Sequence, residues 1–395
     1  MRKILVISHL FPNNIEYSKG TFVFDQVNAL SKFKEINVVS PIIWIPFSKY
    51  IKKLNKFNVI HNTKLLSGVE VYYPRYFAIP LRIPSRILMW VAGILYFISV
   101  FFETLIINNE FKFEIIHSHF AFPDGLSSVF LGKIFKKPVI ITVHGSDINL
   151  YTDKMGHLKP MVIYSLKNAT HIIAVSAALK NKITKLGIAD NKISVVPNGY
   201  NPSLFRPMDK DAIRRKLKLP LNKKIVLFVG HLIFIKGVTY LIESMKFISE
   251  LRDDTILIVV GDGHLKSQLN KTVEEYSLLD KVMFVGSQPH EKIPLWINSC
   301  DLLTLPSISE GFGAVLIEAA ACGKPIVATN VGGIPEASSP IARKLIPPND
   351  SVALAKAILE VLDSTFDPAD IIKENKRFDL NNIADQLIKT YENIE

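Results

Sequence analysis

Pro306-Ser307-Ile308-Ser309-Glu310-Gly311-Phe312-Gly313, running on into Ala314–Ala321 with a second acid at Glu318, is the stretch on which the reading of this chain turns. An apolar, strand-length run (Asp301–Leu305) precedes it and a helix-forming run follows, so Gly311 and Gly313 fall where strand gives way to helix. Such a turn leaves backbone N–H groups bare at a helix N-terminus, a ready site for a phosphate. On one continuous helix the two carboxylates would lie about 80° apart around the axis. The glycines instead place Glu310 in the loop and Glu318 on the helix. Acids do not bind phosphate; they accept hydrogen bonds from hydroxyls beside it. A phosphate cradle between two hydroxyl-binding acids suits a sugar nucleotide.

Outward from that stretch the same alternation repeats. Ile225–Gly230, Thr255–Gly261, Val282–Val285, Asp301–Leu305 and Pro325–Ala328 are short apolar strands separated by helical segments. Ile4–Ser8, Asn37–Ser40, Glu114–His117, Val139–Val143 and Ile172–Val175 alternate likewise, with a helix near Phe22–Lys32 and a long insertion-like stretch up to Asn108. Fully apolar strands between helices read as doubly wound parallel sheets. Between the two halves, Asn201–Asp209 turns polar and proline-punctuated, as a linker does. The expected division is therefore an N-terminal Rossmann-like domain over 1–203, a C-terminal one over 204–378, and a terminal helix over 379–395. Asp350 or Ser351 is placed to cap a helix through Leu362, and Asp379 to cap Asn381–Ile394.

Composition narrows the classes. With 395 residues, 48% of them hydrophobic and 21% charged, the chain can bury a core in each of two or three domains. Its two cysteines, Cys300 and Cys322, make neither a disulfide framework nor a metal cluster and fit a reducing compartment. The formal net charge of +11 comes without zinc-finger spacing, an aromatic RNA-binding signature or a dense basic run. A membrane surface and a phosphorylated substrate therefore explain it better than nucleic acid. Met1-Arg2-Lys3 precedes an apolar run of only strand length that lacks a small-residue cleavage site, so no secretory signal is read. The most membrane-like run, Ile87–Phe102, falls short of the roughly 20 residues of a spanning helix. Strands on both sides of it are expected in one sheet, so a buried or partly membrane-dipping helix is the expectation.

At this point the chain resembles a family. Glu310 to Glu318 is similar to the E-x7-E motif of family-4 retaining glycosyltransferases, which have the GT-B fold. The resemblance extends over most of the chain through Gly20-Thr21-Phe22-Val23, His117-Ser118-His119-Phe120-Ala121-Phe122-Pro123-Asp124-Gly125 and Thr142-Val143-His144-Gly145-Ser146-Asp147. It continues through Val196-Pro197-Asn198-Gly199, Lys236-Gly237 and Val331-Gly332-Gly333-Ile334-Pro335-Glu336. Each motif alone is unspecific; their order is what marks the family. The His119–Gly125 and His144–Asp147 pair is most similar to the branch that builds bacterial capsular, teichuronic and related surface polysaccharides. The resemblance implies two Rossmann-like domains facing a central cleft, with the last helix packing back on the first domain.

The site follows from residues and resemblance together. Lys236, after the C-terminal end of strand Ile225–Gly230, faces the crevice where α/β sheets bind ligands and can neutralise a diphosphate. His231 stands where the family usually has arginine. It either binds phosphate with a stronger pH dependence than arginine would, or leaves that task to Lys236. Gly20 opens a second bare-backbone turn, which the resemblance brings to the donor phosphate from the other domain. It likewise implies that His144, ending strand Val139–Val143, contacts the transferred sugar. His119 and Asp124 either shape the acceptor side or brace loops. Glu318 is expected on the ribose hydroxyls, Glu310 on the donor sugar, and the amides of Phe312, Gly313 and Ala314 on phosphate or sugar. The loop Gly286–His290 is expected to edge the base, and Gly261-Asp262-Gly263 reads as a tight turn.

The expected activity is retaining, hexosyltransferase-type transfer from a nucleoside diphosphate sugar, UDP-sugar favoured, to a lipid-linked or growing surface glycan. No metal or other cofactor is expected, since the lysine supplies the charge. The expected location is cytoplasmic, peripheral on the inner face of the cell membrane. Two rivals are a non-catalytic sugar-nucleotide-binding partner of a glycosyltransferase and a GT-B-fold epimerase or phosphorylase; release of nucleoside diphosphate only with an acceptor separates them. Finally, Lys49, Lys52, Lys53 and Lys56 share one face of a helix opposite Phe47, Tyr50, Ile51, Leu54 and Phe57. That segment is either an anionic-membrane-binding helix or an ordinary surface helix packed on the core.

Overall fold

A computed structural model of the chain describes residues 2–16, 19–45, 63–77, 86–154 and 156–394. The lysine-bearing segment 47–57 lies outside the described residues. The chain divides into two compact units, the first Met1–Pro197 with Asn381–Glu395 and the second Asn198–Leu380.

The first unit carries β1 (Ile4–Ile7), β2 (Ile36–Val39), β3 (Ile42–Trp44), β4 (Thr63–Leu66), β5 (Val69–Tyr72), β6 (Arg75–Phe77), β7 (Ile115–His119), β8 (Val139–Val143), β9 (His171–Ala174) and β10 (Ile193–Val195). Eight of them form one sheet in the order β10-β9-β8-β7-β1-β2-β5-β4, and β3 pairs with β6 apart from it. The large sheet is parallel except for β4, which runs antiparallel to β5. Helices α1 (Thr21–Leu30), α2 (Arg86–Glu110), α3 (Leu126–Phe135), α4 (Ser146–Asn149), α5 (Lys159–Asn168) and α6 (Ala177–Lys185) connect them. Every residue of β1, β7 and β8 is buried, the state of strands covered on both faces, which is why they read as unbroken apolar runs.

The apolar run expected over Ile87–Phe102 makes up most of α2 from its start, and the helix continues to Glu110. The strands before and after it, β1 and β7, pair directly from Ile4↔Ile115 to Ile7↔Ser118. A bilayer crossing by α2 would part them. At the chain's end, helix Leu380–Glu392 returns to this unit, where the Arg2 guanidinium donates to the carbonyls of Tyr391 (2.7 Å) and Ile394 (2.8 Å).

The second unit carries β11 (Lys224–Val229), β12 (Thr255–Val260), β13 (Val282–Gly286), β14 (Leu302–Leu305), β15 (Ile326–Thr329) and β16 (Arg343–Ile346). All six are parallel, in the order β13-β12-β11-β14-β15-β16. Counted from β11 this is 3-2-1-4-5-6, the Rossmann order, in which the chain reverses direction across the sheet between its first and fourth strands. Helices α8 (Val238–Leu251), α9 (Lys266–Glu275), α10 (Ile293–Ser299), α11 (Ala314–Ala321) and α12 (Ile334–Ala337) fill the crossovers, α7 (Lys210–Leu217) precedes β11, and α13 (Ser351–Asp363) and α14 (Pro368–Asn375) follow β16. Asp350 caps α13 by accepting from Ala353 N–H at 2.8 Å.

Below the sheet, the buried Arg214 donates to Asp301 Oδ2 (2.7 Å) and to the carbonyls of Ser299 and Lys223. Burial alone would raise the Asp301 pKa, but the Ile225 N–H, Lys210 and Arg214 together hold it below the ordinary carboxylate value. This fixes the start of β14 against β11, the two strands that flank the switch point.

Candidate active site

Ligands of open α/β sheets bind beyond the carboxyl ends of the strands at the point where strand order reverses. In the second unit that point lies between β11 and β14, paired at Val226↔Leu302 and Leu227↔Leu303. Beyond β11 come Gly230, the exposed His231 and a single 3-10 turn, Phe234–Lys236. Beyond β14 come Pro306 to Glu310. The two connections are tied by the Ile308 N–H donating to the Ile235 carbonyl at 2.8 Å. The Thr329 hydroxyl holds the Ser307 carbonyl at 2.5 Å. Gly237 sits between them with φ +67°, and a Cβ there would meet Pro306 O at 2.0 Å, so no other residue allows this approach.

The outcome is a cation–carboxylate pair at the switch point. Lys236 Nζ donates to Glu310 Oε2 at 2.5 Å, and Ser307 Oγ donates to the same oxygen at 3.2 Å. Both side chains are partly buried, at 21% and 15% exposure, where a charge interaction is screened less than at the surface. Gly332, with φ +52°, supports the acid from behind: a Cβ on it would meet Glu310 O at 1.9 Å. The chain then enters α11 through Gly313, at φ +90°. Phe312 turns its ring into the core against Phe378, 5.6 Å between centroids, and so offers a ligand only its backbone. Glu310 lies in the loop; Glu318 lies half-buried on α11, one turn beyond Ala314. The Gly261-Asp262-Gly263 turn packs backbone to backbone, with Cβ positions falling 1.9 Å from Gly230 O and 2.3 Å from Leu232 O. It holds the ends of β11 and β12 together.

In the first unit the strand order reverses between β1 and β7, and polar side chains gather at that end too. His9 follows β1, and its Nδ1 meets Asp124 Oδ2 at 2.5 Å while its N–H donates to Asp124 Oδ1 at 2.6 Å. Asp124 is wholly buried and also accepts from the Tyr96 hydroxyl at 2.5 Å, whereas the His9 side chain keeps 27% exposure. This is an oriented imidazole: a buried acid fixes one nitrogen and leaves the other side of the ring toward solvent.

Beside it, His119 Nδ1 and His144 Nε2 share a hydrogen bond at 3.0 Å with their rings nearly parallel. His117 lies under His119, held by the Thr142 hydroxyl and the Tyr391 hydroxyl, each at 2.8 Å. Burial pulls the pKa of His117 and of His144 down to about 3, and burial with its histidine neighbours pulls His119 well below the usual value. All three are therefore neutral near pH 7. His144 Nδ1 and His119 Nε2 are buried without a hydrogen-bond partner among the described residues. A neutral, partnerless ring nitrogen suits a hydrogen bond to a ligand hydroxyl; it does not suit proton transfer at neutral pH. Asp147 holds this strand end by accepting from the N–H groups of Ala121, His144 and Gly145, while burial pushes its pKa up to about 6.

Gly20 (φ +66°) starts α1 with its Cβ position 2.2 Å from Leu10 O, and Phe22 in the first turn lies 4.8 Å from the His144 ring. Thus Gly20, His119, Asp124 and His144 gather in the first unit, and in the second Lys236 and Glu310 meet beside Gly313 and Ala314 at the start of α11, while His231 stands exposed after β11 and Glu318 lies a turn further along α11. The sequence reading missed His9, Tyr96 and the part of Ser307. His9 had a legible signal, a histidine just past a strand's C-terminal end, the same signal that singled out His144. Tyr96, inside an apolar helix, had none. His290, in the loop expected to edge a base, is largely buried against Phe205, 5.3 Å between centroids.

Comparison with known proteins agrees with this fold. Residues 66–204 match the family Glycosyltransferase Family 4, and residues 209–378 match Glycosyl transferases group 1. TuaC of Bacillus subtilis (strain 168), provisionally named a teichuronic acid biosynthesis glycosyltransferase, is 30% identical over 361 residues, which cover 90% of this chain and 88% of TuaC. Sucrose-phosphate synthase from Thermosynechococcus elongatus superposes with a TM-score of 0.80 at 23% identity, covering 99% of this chain and 98% of that one. Anabaena HepE, solved in complex with UDP-glucose, superposes with a TM-score of 0.74 at 21% identity, covering 99% and 100%. This chain is a member of the GT-B glycosyltransferases that combine a Glycosyltransferase Family 4 domain with a Glycosyl transferases group 1 domain.

Proposed function

We propose that the protein is a retaining, hexosyltransferase-type enzyme that moves a sugar from a UDP-sugar to a hydroxyl of a lipid-linked surface glycan. The observation that carries this reading is the convergence of Lys236 and Glu310 at the switch point of a Rossmann-ordered sheet, beside the N-terminus of α11. In it, Lys236 and the amides of Gly313 and Ala314 meet the diphosphate, and the positive end of α11 adds to their field. Glu318 accepts from the ribose hydroxyls and Glu310 from the donor sugar. As the bond from the sugar's anomeric carbon to phosphate oxygen breaks, negative charge grows on the leaving diphosphate. The fixed lysine and amides stabilise that charge without rearranging. The leaving phosphate oxygen takes the acceptor's proton as the new glycosidic bond forms on the same face.

His144 serves as a neutral hydrogen-bonding contact to the transferred sugar, since its depressed pKa makes it a poor acid. The same chemistry needs no metal. In this reading the first unit, Met1–Pro197 with Asn381–Glu395, is the acceptor side and the second, Asn198–Leu380, the donor side, and the protein works peripherally on the cytoplasmic face of a membrane. The UDP complex of a structural relative and the teichuronic name of a sequence relative support the choice of donor and acceptor class. The test is turnover. UDP release from a UDP-sugar should require a lipid-linked glycan acceptor, and the product should keep the donor's anomeric configuration. Donor binding with no acceptor-dependent release would favour a non-catalytic partner instead, and an inverted product would overturn the retaining mechanism.

A further inference from the structure

Helix α2 is apolar far beyond what its packing uses. In its most apolar 18-residue window only 22% of the residues are buried. Trp90, Ile94, Ile98, Phe102 and Ile106 recur every fourth residue and are 41–63% exposed, an apolar stripe that winds slowly around the helix, by about 40° per step. Isolated apolar side chains on a surface are ordinary, but a contiguous stripe of this kind marks a contact with protein or lipid. At its Trp90 end the stripe leads into a cavity of about 450 Å³ among α2, α3 and α5, walled by Trp90, Ile94, Phe97, Phe122, Phe130 and Met161. Small-molecule sites span roughly 300–1,000 Å³.

Two further features give the cavity a direction. Its floor is Phe122, on the turn whose Ala121 N–H is held by Asp147 and whose Asp124 holds His9. The apolar cavity and the polar cluster of the first unit thus share one segment. Its mouth is basic. Lys133 Nζ donates to the hydroxyl of the lining Tyr164 at 2.9 Å and lies 5.1 Å from that ring's centroid, and the exposed Lys159 precedes the lining Pro160.

We propose that this cavity takes the hydrocarbon chain of a lipid phosphate, the carrier of the acceptor glycan, with the adjoining lysines, Lys133 first, meeting the phosphate. The chain lies against Phe122 and Phe130 and leaves along the α2 stripe into the bilayer. This inference rests on the reading of the acceptor as lipid-linked, and it adds the place and the chemistry by which the lipid is held. Gly93 is the entry point for testing it. A Cβ on Gly93 would make only ordinary contact with the Phe122 ring, at 3.5 Å, so a leucine there can be added without backbone strain and takes up part of the cavity.

The experiment titrates the full chain with octyl, decyl, dodecyl and tetradecyl phosphate below their micelle concentrations, by calorimetry. Affinity should rise roughly fourfold per buried methylene and then level off when the cavity is full. Gly93→Leu should weaken dodecyl phosphate at least tenfold with UDP affinity unchanged, and Ile94→Glu at the rim should do the same. The proposal is overturned if Gly93→Leu and Ile94→Glu bind like wild type. It is also overturned if affinity climbs without a plateau, as on a flat surface, or if the wild type binds no alkyl phosphate and dimerises through the stripe. Failure of the two readings is separable. If Gly93→Leu uses a lipid-linked acceptor with wild-type KM, the cavity assignment falls and glycosyl transfer stands. Saturable dodecyl phosphate binding that Gly93→Leu abolishes, in a protein that releases UDP with no lipid-linked acceptor, keeps the cavity and removes that acceptor.

Discussion

Replacing Lys236 with methionine keeps most of the aliphatic stem and deletes the ammonium that lies 2.5 Å from Glu310. If that ammonium holds the leaving diphosphate, the variant loses one hydrogen bond between charged groups, worth roughly 1.5–3 kcal/mol. UDP should then bind about ten- to 150-fold more weakly. Glu310→Gln is the informative partner. It keeps the shape and removes a negative charge that competes with the diphosphate for Lys236. With both side chains only 21% and 15% exposed, solvent does not erase that competition. Bare UDP should therefore bind Glu310→Gln as tightly as wild type or more tightly, while turnover of the UDP-sugar falls because the acid no longer grips the sugar. In the double variant, the methionine substitution should cost more UDP affinity than it does alone, since Glu310 no longer occupies Lys236. Calorimetry with UDP and a coupled UDP-release assay measure the two quantities. If Glu310→Gln weakens UDP as much as Lys236→Met, Glu310 positions the lysine and the competition argument is wrong.

Four other outcomes are expected. His9→Ala and Asp124→Asn should each lower acceptor-dependent turnover by an order of magnitude or more with UDP affinity intact; unchanged turnover would make the dyad a brace and nothing more. Acid should unfold the first unit, because His117 and His144 titrate near 3 when folded against 6.5 when free. A depressed pKa favours the neutral form, so this stability is complete above pH 6.5 and falls with pH by about 1.4 kcal/mol per unit per histidine. His117→Phe should flatten that loss of Tm, and an identical slope would remove His117 from the account. Gly332→Ala should cut turnover more than tenfold by pushing on Glu310. Gly68→Ala, equally left-handed but with nothing within 4 Å of its Cβ, should cost only about 1–2 kcal/mol of stability, and equal turnover losses would sink the argument. His231→Arg should bind UDP at least as well as wild type, because a guanidinium offers a planar fork of donors; UDP affinity unchanged in both His231→Arg and His231→Ala would place His231 away from the diphosphate.

The local features of the site were legible because they are local. Gly311 and Gly313 forced a turn between an apolar strand and a helix, so Glu310 fell in the loop and Glu318 on the helix, where the structure has them. Unbroken apolar strands between helices required sheets covered on both faces, and Asp350 marked the start of α13 because an aspartate satisfies the amides a helix begins with. What the sequence could not specify is which strand ends lie together. Lys236 and Glu310 are 74 residues apart and meet only because β11 and β14 are neighbours at the reversal of strand order. His9 and Asp124 are 115 apart and meet because β1 lies beside β7. The neutrality of His117, His119 and His144 is likewise a property of burial, invisible in residue type. Hydrophobic periodicity records what each segment presents to its surroundings. Which segment supplies those surroundings is decided by strand order, and in α2 by how little of an apolar helix the rest of its unit covers.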